Sequence, residues 1–216
     1  MNNTPHTNCL TLRLLHAAKG YKAVAFDIFD TLLKRDCAHP ADLFALMEVT
    51  HQAALGFAEA RVAAEAETRQ TLGREVTLAE IYAHPALRGT DPAAECAAEL
   101  AMIAPNRPVA QAAAACHARG QKVYAVSDMY LPKEQIEAML QKCGLDFLDG
   151  VFVSCEYRVQ KRSGKLFKLF LQQTALRPAE VLFVGDSPRA DFAGAALAGI
   201  RCFLLPQPTP LPYTKT

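Results

Sequence analysis

The chain has 216 residues, of which 51% are hydrophobic and 21% charged, and its 23 Lys and Arg residues nearly balance its 22 Asp and Glu residues. This apolar content is ample for a folded core, and a net charge of +1 gives no electrostatic reason to expect a nucleic acid or an anionic membrane surface as the partner. The seven cysteines include no C-x-x-C pair, which argues against a disulfide framework and a zinc site. No stretch approaches the ~18 apolar residues of a membrane span. We therefore expect a cytoplasmic protein without a membrane segment.

The first predicted element is a strand over Ala23–Phe26, whose four apolar residues suit burial on both faces of a sheet. The segment that follows contains no strand-like run and is rich in Ala, Glu and Arg. Its helix signals are a long pattern at 58–70, a capping box at Thr77 and Glu80, and the N-cap pair Asp91-Pro92. We therefore predict an all-helical cap of residues 37–104, inserted into a core made of residues 1–36 and 105–205.

Beyond this insertion, strand and helix patterns alternate. Four further apolar runs have strand character, at 123–126, 150–153, 181–184 and 202–205. Helical patterns cover 109–119, 133–143 and 188–198, and each stops at a glycine. This alternation predicts a Rossmann-like α/β fold, in which helices cover both faces of a doubly wound parallel sheet. The proline-rich residues 206–216 are expected to form an extended or disordered tail.

Polar residues follow several of the predicted strands. Asp27 comes directly after the first strand, Ser127 and Asp128 after the second, and Asp186 just after the fourth, while the loop after the third holds Lys161 and Lys165. Because ligands bind at the carboxyl ends of strands in such sheets, we expect these side chains to share one crevice. Close carboxylates repel each other unless a cation lies between them, and Asp oxygens suit Mg²⁺. A lysine and a serine beside that metal suit a bound phosphate.

Four separated motifs together resemble the haloacid dehalogenase-like (HAD) hydrolase superfamily. They are, in chain order, Asp27-x-Phe29-x-Thr31, then Ser127, then Lys161 with Phe167 six residues on, and Gly185-Asp186-x4-Asp191. The helical insertion resembles the cap of the first cap type in this family. The segments FDIFDTLL, SDMYLP and KRSGKLF look like a bacterial branch that is sometimes found beside glycosyltransferases.

The resemblance implies a Mg²⁺-dependent hydrolase in which Asp27 attacks phosphorus and forms an aspartyl-phosphate. The metal would be held by the Asp27 carboxylate, the backbone carbonyl of Phe29, Asp186 and Asp191. Ser127 and Lys161 would hold the transferring oxygens and offset their developing charge. Asp128 and Thr31 are further candidates for contact with the phosphate.

Phe29 departs from the family pattern. Phosphatases of the family place a second Asp at this position, where it protonates the leaving oxygen and later activates water. Phe29 can do neither. General acid–base catalysis typically raises the rate ~10²–10⁴-fold, so its loss should slow the hydrolysis of substrates with poor leaving groups most. Asp30, one residue further on, and Asp128 are the candidate substitutes.

Three hypotheses follow. The first is a phosphatase of a small phosphorylated metabolite, with a cap that excludes water. The second is a 2-haloacid dehalogenase, since dehalogenases of the family also carry an aromatic residue at the position of Phe29; they need no metal, whereas Asp186 and Asp191 favour one. The third is a catalytically weak phosphosugar-binding module linked to polysaccharide biosynthesis. The substrate, and the choice between a monomer and a homodimer, stay open.

Basic residues flank the predicted crevice. Arg158, Arg162 and Arg189 each suit either a solvated surface position or contact with a substrate anion, and solvated arginines are the commoner case. Lys165 is expected at the surface, because Lys161 has the better spacing to Phe167.

Overall fold

The computed structural model describes residues 9–37 and 39–206, so the predicted tail lies outside the described residues apart from Pro206. Seven strands are found in that part of the chain: β1 Ala23–Phe26, β2 Leu33–Arg35, β3 Ile103–Pro105, β4 Lys122–Ser127, β5 Gly150–Val153, β6 Val181–Gly185 and β7 Arg201–Leu204. Five of them form one parallel sheet in the order β5–β4–β1–β6–β7, and these five are the predicted apolar runs. Because β1 is central, its carboxyl end lies between those of β4 and β6.

The helices of the described residues are α1 Cys9–Ala17, α2 Asp42–Val49, α3 Phe57–Leu72, α4 Leu78–Tyr82, α5 Pro92–Met102, α6 Arg107–Ala118, α7 Lys133–Lys142, α8 Ser154–Tyr157, α9 Lys165–Thr174 and α10 Gly194–Leu197. Short 3₁₀ turns cover Pro85–Leu87, Lys161–Ser163 and Pro178–Glu180, and a π-helical turn covers Pro188–Ala193. None of the described helices is both long enough and apolar enough to cross a membrane.

Helices cover both faces of the parallel sheet, which confirms the doubly wound α/β prediction. In β1, Val24 and Phe26 point to the face that also buries residues of α1, α6 and α7. Ala23 and Ala25 alternate with them and point to the opposite face, which is covered by α9 and α10. Burial on both faces is the reason why all four positions of this strand are apolar.

The helical insertion, α2 to α5, has a hydrophobic cluster of its own that includes Phe44, Phe57 and Ile81. Arg61 lies fully buried among these side chains, 4.8 Å from the centre of the Phe44 ring. Its guanidinium donates two hydrogen bonds to the buried carboxylate of Glu95, at 2.7 and 2.8 Å. A bidentate pair of this kind satisfies a charge that would otherwise be costly to bury.

A two-stranded antiparallel sheet lies at the base of the insertion, where β2 pairs with β3. We predicted no strand between the first strand and residue 105, and β3 shows that this was wrong. Each strand has only three residues, which is too short for a run of alternating or apolar residues to be read in the sequence. The pairing joins the two connections between the insertion and the sheet.

Local capping chemistry agrees with the sequence. Thr77 and Glu80 form the predicted capping box of α4, and Asp91 accepts a hydrogen bond from the N–H of Ala93 at the start of α5. Gly120 and Gly144, which follow α6 and α7, have positive φ angles of 81° and 71°, as helix stops require.

The helix predicted over 188–198 is not a single α-helix. Residues Pro188–Ala193 form the π-helical turn, and α10 covers only Gly194–Leu197. Asp191 in this turn is held by the backbone N–H groups of Asp186 and Ser187 and by the ammonium of Lys161, which comes from a remote part of the chain. The helices α1 and α9 had not been predicted at all, and α9 begins without a side-chain N-cap.

Candidate active site

Three carboxylates converge at the carboxyl end of the sheet. Asp27 directly follows β1 and Asp186 directly follows β6, and these two strands are hydrogen-bonded neighbours. The N–H of Asp27 donates to the carbonyl of Val184 at 2.8 Å, which continues the strand pairing up to the site. Asp191 completes the group, and one carboxylate oxygen from each of the three residues lies within 4.8 Å of the others.

Asp191 is fully buried and is fixed by the backbone at the end of β6. Its Oδ2 accepts hydrogen bonds from the N–H groups of Asp186 at 3.0 Å and Ser187 at 2.9 Å. This approach depends on Gly185, since a Cβ at that position would lie 2.3 Å from the same oxygen. Glycine is therefore required here to leave room for a carboxylate.

Lys161 projects into the acidic group from the 3₁₀ turn after β5. Its Nζ lies 2.5 Å from Asp27 Oδ1 and 2.6 Å from Asp191 Oδ1. Its backbone N–H donates to Asp128 Oδ1 at 2.8 Å. The backbone carbonyl of Lys161 lies against Gly194, and a Cβ at position 194 would be only 2.2 Å from the carbonyl oxygen. The lysine is thus held at both its backbone and its side chain.

Burial and mutual charge perturb both members of the pair of Lys161 and Asp27. Burial raises the pKa of Asp27 to about 7, against the opposing effect of Lys161 and with the help of Asp191. Burial disfavours the ammonium of Lys161, but the carboxylates of Asp27 and Asp191 outweigh it and raise the pKa of the lysine. Strongly shifted groups in one crevice are typical of a reacting centre.

The acidic group fits a divalent cation. When ionised, the three carboxylates together with the ammonium of Lys161 carry two net negative charges, which a divalent ion would balance. Asp191 Oδ1 is buried and has no hydrogen-bond donor among the described residues, although it is ion-paired with Lys161. Hard carboxylate oxygens are the ligands that Mg²⁺ prefers, so Asp27, Asp186 and Asp191 form a suitable donor set.

Three other predicted residues border this centre. Thr31 is buried, and its Oγ1 makes a long contact of 3.4 Å with Asp186 Oδ1. Ser127 is the buried last residue of β4, beside the carboxyl end of β1. Asp128 is largely buried, which raises its pKa, and its Oδ1 is the acceptor for the backbone of Lys161.

Phe29 is buried below the insertion rather than presented to solvent. The guanidinium of Arg35 lies 4.0 Å from the centre of its ring. That guanidinium is itself fixed by two hydrogen bonds to Glu99, at 2.9 and 3.1 Å. Asp30 is exposed, with a φ of 59°, and its charge acts on Arg35. Asp30 is therefore not one of the three carboxylates that converge on Lys161.

Several residues that shape the site had not been identified from the sequence. Ser154 Oγ accepts from the N–H of Met129 at 2.9 Å and so holds the loop after β4. Asn106 Nδ2 donates to the carbonyl of Thr31 at 2.8 Å and holds the loop after β1. Neither residue belongs to a motif, so only the tertiary structure reveals these contacts.

Comparison with known proteins agrees with this geometry. The model of the family described as haloacid dehalogenase-like hydrolase matches residues 21–199. No curated protein matches the chain significantly.

Similar solved structures share the fold. A HAD phosphatase from Thermococcus onnurineus is 20% identical with a TM-score of 0.62, over 89% of this chain and 90% of that chain. The L-2-haloacid dehalogenase from Xanthobacter autotrophicus is 23% identical with a TM-score of 0.58, over 84% and 76%. A HAD-hydrolase from Bacillus subtilis bound to magnesium is 18% identical with a TM-score of 0.58, over 84% and 87%.

Proposed function

This chain belongs to the haloacid dehalogenase-like hydrolase family, and we propose that it is a Mg²⁺-dependent phosphohydrolase of a small phosphorylated metabolite. The observation that carries the proposal is the convergence of three carboxylates, those of Asp27, Asp186 and Asp191, together with the contact of Lys161 with two of them. Phosphoryl transfer requires positive charge beside the phosphate oxygens, and a lysine with a cation-binding carboxylate set supplies it. A metal-free dehalogenation would use Asp27 as its nucleophile but would not need Asp186 and Asp191 to hold a cation.

In the proposed reaction an oxygen of Asp27 forms a bond to phosphorus, and the bond from phosphorus to the leaving oxygen breaks. Water then attacks phosphorus in the aspartyl-phosphate, which releases inorganic phosphate and restores Asp27. Lys161 opposes the protonation of Asp27 that burial favours, and it faces the charge that develops on the transferring oxygens. A bound Mg²⁺, held by the three carboxylates and the carbonyl of Phe29, would neutralise further charge on these oxygens.

The position of Phe29 limits the leaving groups. Its ring lies under Arg35 and has no proton to give, so an alkoxide must take its proton from elsewhere. Asp128, which is half-buried and has a raised pKa, is the better placed of the two candidate substitutes, because Asp30 is exposed. We therefore expect aryl and acyl phosphates to be hydrolysed faster than alkyl phosphates, by ~10²-fold or more.

The proposal is tested with p-nitrophenyl phosphate, acetyl phosphate and a series of sugar phosphates, each with Mg²⁺ or with EDTA. Asp27→Asn should abolish turnover, and EDTA should abolish it in the wild type. Asp146→Asn is the matched control, since Asp146 is exposed and far from any motif. Turnover that persists in EDTA or in Asp27→Asn would contradict the proposal, and equal rates for sugar phosphates and p-nitrophenyl phosphate would contradict the role given to Phe29.

Dehalogenation is the second candidate, favoured by the aromatic residue at Phe29. In that reaction the carboxylate of Asp27 would attack carbon and displace halide, and water would then hydrolyse the ester. Chloride release from 2-chloropropionate in EDTA would support this candidate.

A catalytically weak module that binds a phosphorylated sugar is the third candidate, favoured by the missing acid at Phe29. Mg²⁺-dependent binding of a sugar phosphate without turnover of any ester in the series would support it. Formation of phospho-Asp27 would count against it.

A further inference from the structure

A cleft of about 730 Å³ opens between the helical insertion and the sheet. The insertion contributes Arg69 and Arg74 at the end of α3, and the other wall includes Arg158, Arg162 and Lys165. We call this space the basic cleft. Its volume is within the range of pockets that hold small metabolites, roughly 300–1,000 Å³.

The basic cleft carries excess positive charge, because five basic residues face two acidic ones, Glu75 and Asp128. Three of the five basic residues already have carboxylate partners. Arg69 is paired with Glu65 and Glu75, and both Arg74 and Arg158 are paired with Glu80.

Arg162 and Lys165 differ from the other three. Within residues 9–37 and 39–206, neither side chain has a carboxylate within ion-pair distance. Both are exposed to the cleft, with guanidinium and ammonium donors free for a ligand. Arginine forks and lysine ammonium groups are the usual partners of carboxylate and phosphate.

The basic cleft adjoins the reacting centre through one turn of the chain, although Asp27, Asp186 and Asp191 do not line it. In the 3₁₀ turn Lys161–Ser163, Lys161 points inward to Asp27, whereas Arg162 and Ser163 line the cleft. Asp128 borders both spaces, since it lines the cleft and accepts the backbone N–H of Lys161. A substrate with its phosphate at Asp27 would therefore extend towards Arg162.

Contacts across the cleft hold its two walls together. Glu75 of the insertion is buried, and its Oε2 accepts a hydrogen bond from Gln160 Nε2 at 2.9 Å. Glu80 of the insertion is ion-paired with Arg158 of the opposite wall. The free cations are thus presented on a preorganised surface, which lowers the entropic cost of binding.

We propose that the basic cleft binds a second anionic group of the substrate through Arg162 and Lys165. The substrate class would then be phosphomonoesters that carry a carboxylate or a second phosphate. This inference rests on the proposed function, because it places the scissile phosphate at Asp27. Two charged donors of this kind should favour such substrates by about 10- to 100-fold.

Two matched pairs of ligands test the inference. 3-Phosphoglycerate carries a carboxylate that glycerol 3-phosphate lacks, and fructose 1,6-bisphosphate carries a phosphate that fructose 6-phosphate lacks. Dissociation constants are measured by calorimetry with Mg²⁺ on the full chain carrying Asp27→Asn, which binds without turnover. A preference for the diacid in either pair supports the inference and identifies the anion.

The double substitution Arg162→Gln and Lys165→Gln should reduce that preference to within about twofold. Lys168→Gln is the control, since Lys168 is an exposed lysine of the same helix α9 outside the cleft, and it should leave the preference unchanged. Equal affinity within both pairs, or a preference that survives the double substitution, would overturn the inference.

This outcome is distinguishable from failure of the proposed function. If p-nitrophenyl phosphate is hydrolysed with Mg²⁺ but the diacids are not preferred, the role of the basic cleft is wrong and the phosphohydrolase remains. If no ester is hydrolysed but the preference exists and depends on Arg162 and Lys165, the cleft is an anion site and the phosphohydrolase is wrong.

Discussion

Substitution of Gly185 by alanine tests the geometry on which the metal site depends. The added methyl carbon would lie 2.3 Å from Oδ2 and 2.5 Å from Cγ of Asp191. No flexible side chain can relieve this overlap, because Asp191 is fully buried and both contacts are to its carboxylate. Asp191 must therefore move away from the end of β6.

That movement removes the two hydrogen bonds that Asp191 accepts from the N–H groups of Asp186 and Ser187. A hydrogen bond to a charged group is worth about 1.5–3 kcal/mol, and these donors are only partly buried, so we expect a loss near the lower limit for each. Gly185→Ala should thus lower the free energy of unfolding by about 2–4 kcal/mol. It should also weaken Mg²⁺ binding by at least tenfold, because one of three carboxylates leaves the donor set.

Urea unfolding and calorimetric titration with Mg²⁺ measure the two effects. Gly150→Ala is the matched control, since it also lies in the parallel sheet and its added carbon would be an acceptable 3.4 Å from Tyr124. We expect this control to change stability by less than about 1 kcal/mol. If Gly185→Ala unfolds and binds Mg²⁺ as the wild type does, Asp191 is not held as described.

Three further predictions concern metal affinity, the buried charges and a helix cap. Burial raises the pKa of Asp27 to about 7, and a protonated carboxyl group does not bind a metal ion. Calorimetry should therefore show that Mg²⁺ binds about tenfold more tightly at pH 8 than at pH 6, and equal affinity at the two pH values would refute this prediction. Arg61→Met should cost about 3–5 kcal/mol in urea unfolding, because the buried Glu95 loses its cationic partner and keeps only the hydrogen bond from the hydroxyl of Tyr82, whereas adding Glu95→Leu should restore most of the stability; a loss below 1 kcal/mol for the single variant would contradict the argument. Thr77→Ala removes the hydroxyl that accepts a hydrogen bond from the N–H of Glu80, and it should lower the free energy of unfolding by about 1 kcal/mol. The Tm should fall by roughly 2–4 °C, and an unchanged Tm would show that the cap does not stabilise the protein.

Much of the candidate site follows from the pattern of the sequence. Asp27 and Asp186 could be placed together, because each directly follows an apolar run and parallel strands bring such positions to one end of the sheet. Lys161 could be assigned only through the family resemblance, since a loop lysine has no pattern of its own. The structure then groups Asp27 and Asp186 with Asp191 as the third carboxylate, and places Lys161 in contact with Asp27 and Asp191.

Other parts of the site could not be predicted. The environment of Phe29 depends on Arg35, and the environment of Arg35 depends on Glu99, which is 64 residues further along the chain. The sequence likewise does not show that Arg162 and Lys165 line a cleft, because residues of the insertion form the opposite wall of that cleft. These properties are distances between remote segments, which a single sequence does not record.

The amino-acid sequence by itself determined the five strands of the parallel sheet, the caps of α4 and α5 and the residue types at the carboxyl end of the sheet. These features depend on short-range causes, namely apolar runs buried on both faces and side chains that satisfy neighbouring N–H groups. Only the tertiary structure decided the π-helical turn, the β2–β3 pair and the distances among the carboxylates. The β2–β3 pair shows the reason clearly, because Leu33 pairs with Pro105 from the other end of the insertion. Pairing between such remote segments leaves no signal in the three residues of each strand.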